Sequence, residues 1–242
     1  MALSGSAFHD AANMGPRTCH SIPSGGTFSV YSRTHIQARP QEVYDALLDV
    51  GRWPEWNSFV PRVTITSHPQ PHHAHLRMEQ GVNMIFHVRM SPTDHQTSRE
   101  TCTHVDNLRT RESGSSLPAV TRVRWDLHNA AIMVPNFVLK AQRTHEIEEL
   151  ADGTTEYRNW ETFAGMLARM VRKRYGGALR DRFADWAQDL KRYVEGRDGG
   201  GMKMAERSAE GSAEGTEGPV GTERVKKEGR GVSGTLRPAQ PA

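Results

Sequence analysis

The order of patterned segments predicts an α+β fold, a curved antiparallel sheet of six to seven strands closed by a long C-terminal helix. Three observations carry this. Residues 165–195 repeat apolar side chains at Leu167, Val171, Tyr175, Leu179, Phe183, Trp186, Leu190 and Val194, an i, i+4 stripe held over many turns. Most of the sequence from 62 to 164 alternates as strands do, with no intervening helical pattern, so neighbouring strands pair as a meander. Asp152-Gly153 between two alternating runs marks a hairpin just before the helix. An amphipathic helix of this length cannot bury its stripe alone, so the sheet must hold it.

In chain order, TFSVYSRTHIQA (27–38) reads as a half-buried strand, with Phe28, Val30 and Ile36 on one parity. Pro40 suits the first turn of a helix whose buried face is Val43, Tyr44, Leu47 and Leu48, ending near Gly51. Trp53, Trp56 and Phe59 crowd a short second helix stopped by Pro61. Strands are then expected at 62–68, 73–81, 82–90, 98–107 and 119–129, with a turn near Gly81 and a loop over 108–118. AAIMVPNFV (130–138) reads as a bend, and 138–150 with 154–165 form the last hairpin. Gly176-Gly177 falls in mid-helix, where each glycine costs about 1 kcal/mol relative to Ala. A kink, a close approach, room for a ligand or a break between two helices would each explain it.

The apolar fraction of 36% is low, and the two ends account for it. Residues 1–26 and 197–242, the latter with the near-repeat SAEGSAEGTEG, are expected to be disordered, leaving one domain over 27–196. A net charge of +3 with mixed signs is too weak for a nucleic-acid footprint, and the basic run RVKKEGR (224–230) reads as solvated tail. Two cysteines, Cys19 and Cys102, make no disulfide framework, so a reducing compartment is expected, the cytoplasm, with a mitochondrial transit segment as the alternative for the acid-poor N-terminus. No secretory signal and no apolar run of membrane-spanning length occurs. The histidines of SHPQPHHAH, with His73 and His75 on one strand face, lack acidic or thiol neighbours and read as exposed polar residues rather than metal ligands. No P-loop, GxGxxG, GxSxG or HExxH pattern is present, so no metal and no cofactor is expected.

Strand parity nominates the reactive groups. Arg143 and His145 share a face with Ile147, and Asn159 and Glu161 share one with Phe163. A carboxylate and a histidine in apolar surroundings suit general acid–base work, with Glu161 and His145 as the catalytic candidates. The competing reading is a structural ion pair tying the hairpin to the helix.

The segments Ile36-x-Ala38-x-Pro40-x-x-Val43-Tyr44, Trp53-Pro54-x-Trp56-Asn57-x-Phe59-Val60 and Thr154-Thr155-Glu156-Tyr157, leading to Glu161-x-Phe163-x-Gly165, resemble the SRPBCC superfamily. This START-like group includes polyketide cyclase/dehydrase-type, birch-pollen-allergen-like and coenzyme Q-binding proteins. The resemblance covers about residues 27–195 and implies a helix-grip fold with a cavity between sheet and helix. It implies a hydrophobic small molecule as partner, polyketide, lipid or quinone-like, bound without cofactor, or alternatively a polyketide cyclase or dehydratase. Met84, Phe86 and Trp125 on the strands and Met166 and Met170 beside the helix stripe then become lining candidates, Met being adaptable at binding surfaces. Arg143 and Asn159 join them from the hairpin, and Trp53, Trp56, Asn57 and Phe59 from the aromatic insert. Asn57 has a competing role as a cap or loop pin.

Overall fold

The computed structural model describes residues 1–73, 76–112, 117–129, 133 and 135–210, with side chains through residue 197. A short helix α1 (Gly5–Phe8) is followed by strand β1 (Phe28–Ile36), helix α2 (Pro40–Leu48) and a 3₁₀ helix (Val50–Glu55). Six strands come next: β2 (Arg62–Ser67), β3 (Asn83–Arg89), β4 (His95–Val105), β5 (Ala119–Leu127), β6 (Lys140–Glu149) and β7 (Thr155–Ala164). Helix α3 (Ala168–Glu210) ends the described chain. The compact unit is Met1–Lys203; the second unit, Met204–Ala242, is described only in the helical backbone of its first residues.

The seven strands form one antiparallel sheet in the order β1-β7-β6-β5-β4-β3-β2. With the long helix and the short helices after β1, this is the helix-grip fold. The inner face carries Val30, Val123, Trp125, Ile147, Tyr157 and Phe163, and packs on Leu179, Phe183, Trp186, Leu190 and Val194 of α3 in one continuous core. The predicted stripe therefore finds its partner. The two glycines interrupt nothing. Helix α3 runs through them; Gly176 is where Met14 Cε packs, 2.9 Å from the position of an added Cβ, and Gly177 faces open space.

The aromatic insert is core, not rim. Trp53 is fully buried, donates from Nε1 to the Leu47 carbonyl at 3.1 Å, and meets Trp186 edge-on at 4.8 Å. Asn57 Oδ1 accepts from the Phe59 and Val60 amides at 3.1 and 2.8 Å, which pins the turn into β2. Asp189 of α3 accepts from Ser58 N at 2.9 Å, clamping this insert to the helix.

The β6–β7 hairpin turns as expected. Gly153 takes φ +81°, and Leu150 N donates to Thr154 O at 2.9 Å. The strand expected at 73–81 is not formed. Met78 is instead buried, and its amide donates to Leu48 O on α2, so this stretch packs over the helix; Ala74 and His75 lie outside the described residues. His68 is also buried, accepting from Gln70 N at 2.9 Å with its other nitrogen 3.0 Å from Arg77 O, so it is a structural residue and not an exposed one.

The expectation of an unstructured lead is corrected. Residues 1–26 pack on the outer face of β1, β7 and β6. Arg17, fully buried, donates to the carbonyls of Phe8, Asn13 and Asp10 at 2.7–2.8 Å and lies over the Tyr31 ring at 4.8 Å. Its backbone is tied to the sheet by Ser29 and Thr162, and Trp160 donates to Thr18 O at 3.1 Å. Composition misled because one saturated guanidinium, with Phe8, Met14 and Ile22, orders a polar segment. Gly26 joins lead to sheet at φ +63°, where an added Cβ would stand 2.5 Å from Phe163 O. At the other end, the boundary expected at 196 falls inside α3, and residues 211–242 lie outside the described ones.

Candidate ligand-binding site

The hairpin register sets the polar wall of the site. Arg143 pairs with Glu161, His145 with Asn159 and Ile147 with Tyr157 across β6 and β7, so all six side chains share the inner face. On β4, Glu100 lies opposite Leu127 and Met84 and points the same way. Between this wall and the first half of α3 is a cavity of about 200 Å³. Its apolar walls include Phe59, Phe86, Trp125 and Phe163 from the insert and sheet, and Val171, Tyr175 and Leu179 from the helix. Glu100, Ser98, Arg143 and Glu161 supply the polar surface, and exposed Gln96 and Thr97 mark the mouth at the β3–β4 hairpin.

Electrostatics in this space are unusual. Burial pushes the Glu161 carboxyl up to about 7, with Arg143 opposing the rise. Burial, reinforced by the Glu161 charge, pushes Glu100 up to about 8, although Ser98 Oγ donates to its Oε1. Near neutrality, then, Glu100 is a neutral acid and Glu161 is poised to exchange a proton. Among the described residues no hydrogen bond or ion pair engages the Glu161 carboxyl.

Arg143 is held by other means. It donates to Asn159 Oδ1 at 3.1 Å, and Asn159 donates to Ser32 Oγ at 2.7 Å. Its guanidinium lies 4.0 and 4.1 Å from the ring centroids of Trp186 and Phe183. Burial lowers its pKa to about 10, so it stays charged at neutral pH. Arg143 Nε is buried without a hydrogen-bond partner among the described residues.

His145 stands behind this wall. Its Nδ1 is 2.6 Å from Tyr157 Oη, and Trp186 Nε1 donates to the same oxygen at 2.7 Å. Burial, then the Arg143 charge, drive its pKa well below the ordinary value, so it is neutral. It lies against Trp125, ring centroids 4.3 Å apart, and does not line the cavity.

Of the residues nominated from sequence, the structure brings Phe59, Phe86, Trp125, Arg143 and Glu161 to the cavity. It does not place the others there. His145 and Asn159 support the wall from behind, and Trp53, Trp56, Asn57 and Met84 are core. Met170 is exposed because it sits one position out of phase with Val171, a turn of about 100° about the helix axis, and Met166 is exposed in the turn that precedes α3. Sequence reasoning missed Glu100 and the hub Tyr157. The signal for Glu100 was its shared parity with Cys102, weakened by a register shift between Cys102 and His104.

Residues 27–195 match a family described as polyketide cyclase/dehydrase and lipid transport. The chain belongs to this family. An oxopyrrolidines biosynthesis cluster protein O from Penicillium oxalicum is 27% identical over 198 residues, covering 78% of this chain and 96% of the relative. A hypothetical protein from Helicobacter pylori shares the fold at TM-score 0.52 and 12% identity, over 72% of this chain and 91% of its own. A START superfamily protein from Mycobacterium smegmatis aligns at TM-score 0.45 and 14% identity, over 69% and 97%. Among the described residues no helix is long and apolar enough to cross a membrane.

Proposed function

We propose that the cavity binds a small, largely apolar molecule, polyketide, lipid or quinone-like, whose oxygen functions meet Glu100, Glu161 and Arg143. One observation carries this reading: an aromatic-walled space of about 200 Å³ with two protonatable carboxyls and a guanidinium on a single wall. That volume is below the roughly 300–1,000 Å³ of drug-sized sites, so the ligand is small or projects through the mouth. Family membership is compatible with either a polyketide or a lipid, and the biosynthesis-cluster name of the Penicillium oxalicum relative supports a small metabolite over a bulk lipid. The reading needs no cofactor, and the two buried free thiols suit the cytoplasm.

The raised carboxyls favour a second reading, ring closure or dehydration of the same ligand. Ionised Glu161 would take a proton from carbon beside a carbonyl, neutral Glu100 would donate to the carbonyl oxygen, and Arg143 would stabilise the developing enolate. His145, the acid–base partner nominated from sequence, takes no part in this scheme.

Native mass spectrometry of protein from its own host tests the first reading through a co-purified apolar ligand; an empty cavity in every preparation sinks it. Glu161→Gln then separates the two. Loss of turnover with binding retained supports catalysis, whereas a changed affinity without any product in the parent protein supports a carrier.

A further inference from the structure

The helix stripe that lines the cavity does not end inside the protein. Leu167 continues Val171, Tyr175 and Leu179 toward solvent and is 37% exposed. Beside it Met166 is 75%, Met170 55% and Phe137 68% exposed. The two segments that carry them lie side by side: Met166 N donates to Phe137 O at 3.0 Å, and Leu167 N to Val138 O at 2.9 Å. Phe163 and Val171, which line the cavity, adjoin this patch along the chain, so the patch borders the ligand space.

The charge pattern around it is one-sided. From Thr162 to Arg180 the sequence has five cations, Arg169, Arg172, Lys173, Arg174 and Arg180, and no acid, in a protein whose net charge is only +3. Arg169, Arg172, Lys173 and Arg174 are exposed and form no ion pair among the described residues. On α3, Arg169 and Lys173 fall at i, i+4 and Met170 and Lys173 at i, i+3, so an apolar tip and two cations share one face, while Met166 and Leu167 stand in the turn that leads into it. The apolar side chains stand out from the surface rather than lining a groove, which suits insertion into a lipid interface better than a knob from a partner protein.

We propose that the start of α3 docks on an anionic lipid surface, with Met166, Leu167, Met170 and Phe137 dipping among the acyl chains and the four unpaired cations meeting phosphate and carboxylate headgroups. Docking would bring the cavity's helical rim against the bilayer, so that an apolar molecule passes between the two with little exposure to water. The surface is independent of what the cavity holds or does to it.

The test uses the full chain with vesicles of phosphatidylcholine alone and of phosphatidylcholine mixed equally with phosphatidylserine. Cosedimentation with the anionic vesicles only, weakening as salt is raised, is expected. Met166→Ser with Met170→Ser should weaken it about tenfold or more. Arg172→Gln with Lys173→Gln should weaken it about fivefold per charge. All four positions are exposed, so an unchanged thermal melt verifies the fold of each variant. Binding to neither vesicle overturns the proposal, as does equal binding to both. Full binding by the methionine variant overturns it too, since a basic tail would then account for the attraction. So does capture by an immobilised acidic protein without vesicle binding.

Discussion

Arg143 and Glu161 are register partners on neighbouring strands, yet the guanidinium packs against Trp186 and Phe183 rather than pairing with the carboxylate. The cavity therefore has a fixed positive charge at its back and an unclaimed carboxyl at its wall. Arg143 still acts on Glu161 through space, holding its pKa below what burial alone would give. Replacing Arg143 by Met should raise the Glu161 midpoint from about 7 by about one pH unit or more. Carbon-13 NMR of labelled glutamate carboxyls follows this directly, and an unmoved midpoint would show that the two charges are screened from each other.

The two raised carboxyls make stability fall with alkalinity. Both Glu100 and Glu161 bind protons more tightly folded than unfolded, so their contribution is complete below about 4.5. It is lost as pH rises through about 7 and about 8. Chemical denaturation across this window should show a loss of several kcal/mol, on the order of 3–8. Glu100→Gln with Glu161→Gln should flatten the curve and leave the variant more stable than the parent at pH 9. A parent curve already flat would mean that solvent reaches both groups.

Tyr157 holds three elements at one oxygen, with His145 of β6 and Trp186 of α3 both within hydrogen-bond distance. Tyr157→Phe keeps the ring and leaves the Trp186 N–H and a His145 nitrogen without partners. A cost of about 2–4 kcal/mol follows from two buried polar groups left unsatisfied. Thermal and urea unfolding measure it, and a neutral substitution would mean that water replaces the phenol.

Arg17 supplies the donors around which the lead folds. Arg17→Met should lower global stability by about 2–4 kcal/mol. It should also make residues 1–26 the first site of limited proteolysis. An indifferent response in both measurements would mean that the lead adds nothing to the fold.

Much of this architecture is legible in the residues. Asp152-Gly153 and the alternation on either side set the hairpin, and parity alone brought Arg143 and Glu161 to one face. The stripe announced its own burial from Leu179 to Val194, although its first member, Leu167, lies exposed. What escaped depends on distant packing. Trp53 and Trp56 look like ligand-facing aromatics until Trp186 arrives from far along the chain to bury them. Met170 differs from lining residues only in helical phase, and Met166 falls in the turn before the helix begins, neither of which a stripe with extra apolar members settles. Glu100 lies in a run of Ser, Arg, Thr and His whose inward side shows only once Cys102 is seen opposite Trp125.

The lead has one more consequence. The family match begins at residue 27, but the packing does not. A protein trimmed to that match would strip the cover from Tyr31 and Trp160 and uncouple β1 from Met14, whose carbonyl accepts from Ser29 N at 3.3 Å. It would bare an aromatic surface and an open strand margin together, the circumstances in which sheets recruit one another. The segment that the family match spans and the segment that folds are different lengths of chain, and experiments on the cavity should use the longer.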